Sequence, residues 1–280
     1  MTQSANPLQN WFRRPVIYIR LPSQGQYWPD GALNMPQNGE LPVLPMTALD
    51  EITYRTPDAL YNGQAVVDVI QSCIPSIVNA WKTPSIDMNS ILISMRIASY
   101  GHDMEINSTC PKCSESSDYG IDLRTVLDMV GRPDYGQSVQ QDELEFFFQP
   151  MTFEDQNYVN TQQFETQKAI QLITDSTDSE DAKLKKMGDI MKRVTAATAE
   201  ALARNIAGIR SPAGFVDQKV FITDFLANCD RTLFTRIRDH VIKLRTESDP
   251  RPVTITCGSC QNQYEQAISF DMSNFFATAS

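Results

Sequence analysis

The chain has 280 residues, 41% of them hydrophobic and 21% charged, with a formal net charge of −10 at pH 7. That length can bury a substantial core and fits one or two domains. No run of about 18 apolar residues occurs and residues 1–10 are polar and uncharged, so neither a membrane span nor a secretory signal is expected, and the negative balance opposes binding to phosphate backbones.

Residues 1–45 read as an arm. A strand over 16–21 is followed by Pro22, Gly25, Pro29, Gly31, Pro36, Gly39, Pro42 and Pro45, which exclude long regular elements. Trp11, Phe12, Tyr27 and Trp28 give the arm large apolar groups that must be covered, either by the chain's own core or by a partner.

Residues 46–103 read as helical. Thr47 and Asp50 approximate a capping box that opens a short helix through Arg55, and Thr56-Pro57-Asp58 starts a further turn. Asn62-Gly63 then breaks the chain before a helix over 64–82 that Pro75 bends. Asp87 is placed to cap a helix over 88–100, which Gly101 ends.

After a first cysteine pair, Leu123 to Val130 reads as a short helix and 131–136 as a turn-rich connection. Residues 144–149 form a strand stopped by Pro150, and Thr152 with Asp155 caps a helix over 153–172. Past an acidic loop, Leu184, Met187, Met191, Val194, Ala201 and Ile209 mark one long helix, and residues 220–244 a second. Charge is segregated here: residues 140–182 hold ten carboxylates against Lys168 alone, whereas 183–251 hold fourteen Lys and Arg against eight Asp and Glu. Two solvated faces that attract one another explain this, as does a docking surface for another protein.

The strongest chemical signal is a repeat. Cys110-Pro111-Lys112-Cys113 and Cys257-Gly258-Ser259-Cys260 each lie between two short extended segments, so both read as strand, knuckle, strand. Two such knuckles supply the four thiolates that a structural zinc takes in tetrahedral geometry, and a filled shell leaves no position for water or substrate. A redox dithiol, a pair of disulfides and a nucleic-acid-reading ribbon are the competing readings. The predicted fold is therefore α+β and predominantly helical. A split zinc-ribbon-like module, residues 104–130 and 251–280, carries one structural Zn²⁺ on Cys110, Cys113, Cys257 and Cys260, and a helical insertion, 131–250, separates its halves. Cys73 and Cys229 fall on apolar helical stripes and read as core residues.

Enzyme signatures are missing. With only His102 and His240 the chain cannot build most histidine-based triads, and it has neither a glycine-rich phosphate loop nor a Gly-x-Ser-x-Gly turn. Lys112 is the one basic residue within the knuckles. The reading is of a non-enzymatic protein that binds other proteins, with a nucleic-acid-binding ribbon as a weaker alternative.

One stretch carries a resemblance. Leu41-Pro42-Val43-Leu44-Pro45-Met46-Thr47-Ala48-Leu49-Asp50, then Thr56-Pro57-Asp58-Ala59-Leu60-Tyr61-Asn62-Gly63 and Val69-Ile70-Gln71-Ser72-Cys73-Ile74-Pro75, continued by Ile91-Leu92-Ile93-Ser94-Met95-Arg96, is similar to the baseplate hub assembly family of T-even-type contractile-tailed bacteriophages. The likeness covers residues 41–130. It implies a part in building the central hub on which the tail tube and its tape-measure protein are organised, with hub or tape-measure proteins as partners and no catalytic residues. It further implies a place in the host cytoplasm during assembly, or in the virion baseplate if the protein is a permanent component. Thr56, Pro57, Asp58, Asn62 and Gly63, with the arm aromatics, are the candidate partner-binding residues. Packing within the chain is the competing explanation for them.

Overall fold

The computed structural model describes residues 7–8, 11–55, 63–176 and 179–268. The chain divides into two compact units, one comprising Met1–Ala80, Asp87–Val130 and Pro250–Ser280, the other Trp81–Ile86 and Gly131–Asp249. The fold is mixed, helices with small antiparallel sheets.

In the first unit the arm forms a short antiparallel pair, β1 (Ile17–Ile19) with β2 (Leu41–Val43). Ile19, Leu21, Leu41 and Val43 are buried, so the pair contributes to the core. Helices α1 (Ala48–Tyr54), α2 (Gln64–Cys73) and α3 (Ser85–Tyr100) follow. Thr47 and Asp50 form the reciprocal capping box, and Gly63 caps α2 in the left-handed region at φ 78°, a conformation that costs glycine little.

Two boundaries differ from the sequence reading. The helix expected to bend at Pro75 stops at Cys73, because the residue before a proline is driven out of the α region; Ile74 sits at φ −128°, ψ 80°. Asp87 is not a cap. The helix begins at Ser85, and the buried carboxylate of Asp87 accepts from the Ser23 backbone N–H at 2.8 Å, the Ser23 hydroxyl, and Trp28 Nε1 at 2.8 Å. α3 is buried on most sides and forms the centre of this unit, with Ile91, Leu92, Ile93 and Met95 almost fully covered and Asp87, Ser90, Ser94 and Arg96 buried among them. Gly101, at φ 89°, ends it as expected.

A hairpin of two seven-residue strands, β3 (Asp103–Thr109) with β4 (Ser116–Asp122), leads into α4 (Leu123–Asp128), which Asp122 caps. The chain then leaves this unit beside the strand by which it returns: Val130 bridges Pro250, and Arg251 N–H donates to Met129 O at 3.3 Å. A second hairpin, β9 (Val253–Thr256) with β10 (Gln263–Gln266), follows.

The second unit contains more strand than its sequence suggests. β5 (Val139–Gln141), β6 (Leu144–Phe148), β7 (Ile206–Ser211) and β8 (Gly214–Val216) form one antiparallel sheet in that order. Between β6 and β7 run α5 (Phe153–Thr174) and α6 (Glu180–Arg204); after β8 come α7 (Lys219–Asn228) and α8 (Arg231–Ser248). The stripe ending at Ile209 suggests one helix, but the chain becomes a strand after Asn205 because Ile206, Gly208 and Ile209 pair with Phe148, Phe147 and Phe146. The single helix expected over 220–244 is broken at Cys229-Asp230, where the Asp230 carboxylate caps α8 through the N–H groups of Thr232 and Leu233. Phe146, Ile206, Ile222 and Ile237 are completely buried at the centre of this unit. Among the described residues no helix is long and apolar enough to cross a membrane.

Candidate metal centre

The two knuckles have the same backbone geometry. In the first, Cys110 N–H donates to Glu115 O at 2.8 Å and Ser114 N–H returns to Cys110 O at 2.9 Å; in the second, Cys257 N–H donates to Asn262 O at 2.9 Å and Gln261 N–H to Cys257 O at 3.0 Å. Ser114 and Gln261, one residue past each pair, are both left-handed, at φ 59° and 57°. Each turn therefore curls its two thiols to one side of a hairpin end.

The hairpins place these ends together. All four Sγ atoms lie within 4.8 Å of one another, and two contacts cross between the pairs, Cys110 to Cys260 and Cys113 to Cys257, each 3.7 Å. Four sulfurs held about 2.3 Å from a central zinc in tetrahedral geometry stand about 3.8 Å apart, so the separation fits a shared ion and is far too long for a disulfide. Cys110 and Cys257 are buried, Cys260 is half-buried and Cys113 is exposed. Beside the cluster Ser108 joins the hairpins, lying 2.9 Å from the Tyr264 hydroxyl and donating to Gln266 Oε1 at 2.6 Å.

The electrostatics suit a cation. Burial works against ionising Cys110, but the backbone N–H groups of Cys113 and Lys112 and the thiols of Cys113 and Cys260 outweigh it, holding Cys110 down at about 6. At Cys257 the Cys260 backbone N–H leads in lowering the thiol, against burial. The Glu115 N–H favours the thiolate of Cys113, yet the thiols of Cys260, Cys257 and Cys110, together with burial, push it up to about 12. Four clustered thiols resist sharing negative charge, and a divalent ion would remove that conflict.

Residues 46–277 match the family described as T4 bacteriophage base plate protein. The chain belongs to that family. No curated protein and no solved structure matches it. The base plate match spans all four cysteines and the whole second unit, and membership points to a role in the phage tail among other baseplate proteins. The arm lies outside the matched span.

Of the candidate partner-binding residues, Thr56, Pro57, Asp58 and Asn62 lie outside the described residues. Gly63 is buried as the cap of α2. Trp11 and Phe12 are 77% and 54% exposed, Tyr27 is 39% exposed, and Trp28 is half-buried with its indole N–H on Asp87. Of the remaining cysteines, Cys73 is a fully buried core thiol, which burial pushes up to about 12, and Cys229 is half-buried against the core of the second unit, where burial raises it. His240 is half-buried with its ring 4.4 Å from that of Phe148, and burial lowers its pKa.

Sequence reasoning missed two polar anchors of the arm. One is Asp87. The other is Arg13, whose guanidinium donates to Pro45 O at 2.7 Å, Ser72 O at 2.8 Å, Ser72 Oγ at 2.7 Å and Asp50 Oδ2 at 3.2 Å. Neither has a local signature, since each lies 32 to 64 residues from its partners in sequence.

Proposed function

We propose that this baseplate-family protein is a non-enzymatic assembly factor that binds other tail proteins while the baseplate hub is built in the host cytoplasm, with hub or tape-measure subunits as its partners. We further propose that one structural zinc ion, held by Cys110, Cys113, Cys257 and Cys260, joins its two hairpins. Family membership over residues 46–277 is the observation that carries the reading. The sulfur cluster supports a structural role for the metal, because four thiolates fill zinc's coordination shell and leave no site for a reacting group. When bound, the ion supplies a cross-link rather than chemistry. The exposed Trp11 and Phe12, with Leu49 and Ile52 of α1 at 70% and 66% exposure, give the first unit apolar surface for protein contacts.

A second reading is a permanent component of the virion, favoured by the family's description as a base plate protein. Quantitative mass spectrometry of purified particles and of tail-assembly intermediates separates the two. An assembly factor is enriched in intermediates and lost from mature phage. Stoichiometric recovery from mature phage would sink the assembly-factor reading and establish the permanent one.

A further inference from the structure

The two hairpins of the first unit meet through more than their cysteines. Strand alternation puts Ile106 and Ser108 of β3 and Tyr119 and Ile121 of β4 on one face of the first hairpin, where Ser108 is buried and the others are half-buried. That face carries the contact with the second hairpin. Ser108 donates its hydrogen to Gln266 Oε1 at 2.6 Å, so in the 2.9 Å contact between Ser108 and Tyr264 the Tyr264 hydroxyl is the donor.

Tyr119 stands apart in this junction. Its hydroxyl oxygen is buried, and among the described residues no group meets it at hydrogen-bond geometry. Its neighbours are nonetheless near: burial leads in raising its pKa, the Tyr264 hydroxyl and the Cys257 thiol add to that, and the Gly258 N–H opposes it. A side chain of the first hairpin therefore reaches the knuckle of the second. A buried hydroxyl without an acceptor is costly, and a metal-bound thiolate would remove that cost.

We infer that Tyr119 is a positioning residue of the metal centre, donating its hydroxyl hydrogen across the hairpin interface to the Cys257 thiolate when the ion is bound. The inference rests on the zinc reading above. Two acceptors are at hand, the Tyr264 oxygen and the Cys257 sulfur. The thiolate is charged and the phenol neutral, and charge-assisted hydrogen bonds are about twice as strong. Cys257 also needs the donor, because it is buried from water and four thiolates around one divalent ion leave excess negative charge. The Cys260 and Ser259 N–H groups favour its thiolate from within the knuckle, and Tyr119 adds a donor from outside it.

The test is metal titration of the purified 280-residue chain in the parent, Tyr119→Phe and Tyr264→Phe. Co²⁺ is read by its sulfur-to-metal charge-transfer band, and Zn²⁺ by competition with a chelator. A hydrogen bond lowers the energy of the sulfur lone pairs, so its loss moves the band to longer wavelength. We expect Tyr119→Phe to bind one ion about tenfold more weakly with the band so shifted, and Tyr264→Phe to keep the parent band. Parent band and affinity in Tyr119→Phe would overturn the proposal, as would weaker affinity with an unshifted band, the mark of lost packing. Equal band shifts in both variants would show that Tyr119 acts through Tyr264 and would also overturn it. A parent chain that binds no metal would overturn the zinc reading itself, and this proposal with it.

Discussion

Asp87 shows how one residue ties a proline-rich arm to a helical core. Its buried carboxylate accepts from the Ser23 N–H, the Ser23 hydroxyl and the Trp28 indole N–H, and Asp87→Ala would leave these donors without their acceptor. We expect a loss of about 2–4 kcal/mol in urea unfolding, with a change in Trp28 fluorescence before global unfolding. The same site carries a pH dependence. Burial pushes Asp87 up to about 6, although hydrogen bonds from Ser23 and Trp28 favour its charged form. The unfolded value is near 4, so the folded state holds this proton more tightly. Its contribution to stability is complete below about pH 4 and is lost as pH rises through about 6. Urea midpoints across that window should show this component in the parent and lose it in Asp87→Asn; an identical profile in both would show that Asp87 does not titrate there.

At the scale of elements, two glycines mark where backbones or rings come closest. A Cβ on Gly131 would stand 1.6 Å from Glu247 O, whereas on Gly208 it would meet the Phe215 ring at 2.2 Å. The first obstacle is backbone and the second is a half-exposed side chain that can swing away. Gly131→Ala should therefore cost about 2 kcal/mol or more and Gly208→Ala less than about 1 kcal/mol, measured by thermal unfolding; the reverse order would contradict the packing described. Local signals explain which elements were legible in the sequence. Both Thr-x-x-Asp capping boxes, at Thr47 and Thr152, start helices where expected, because capping is decided within four residues. β7 was hidden because Ile206 and Ile209 continue a helical stripe, and only pairing with the distant Phe146 to Phe148 decides for strand. The break at Cys229-Asp230 was hidden because Phe225, Cys229 and Leu233 keep helical spacing across it.

For the molecule as a whole, the cysteine pairs were the most legible feature, and the fold brings them together: two alike knuckles meet through four sulfurs. Spacing within each pair is local, so the knuckles could be read from sequence, but which hairpin meets which is a long-range matter that the pattern only suggested. The partners are less legible still, since Trp11 and Phe12 are exposed whereas Trp28 belongs to the chain's own polar anchor. The clasp has a thermodynamic consequence. A cross-link from Cys110 to Cys257 closes a loop that contains Gly131–Asp249, the greater part of the second unit, and the chain-entropy argument assigns such a loop about 5 kcal/mol. Chelation should lower the melting temperature of the first unit in calorimetry, and added zinc should restore it.

The most direct measurement is zinc content per chain, by mass spectrometry of the native protein and of the variants Cys110→Ser/Cys113→Ser and Cys257→Ser/Cys260→Ser. A shared site predicts one zinc per parent chain and none in either variant. Full retention of zinc in either variant would contradict a single centre joining the two hairpins.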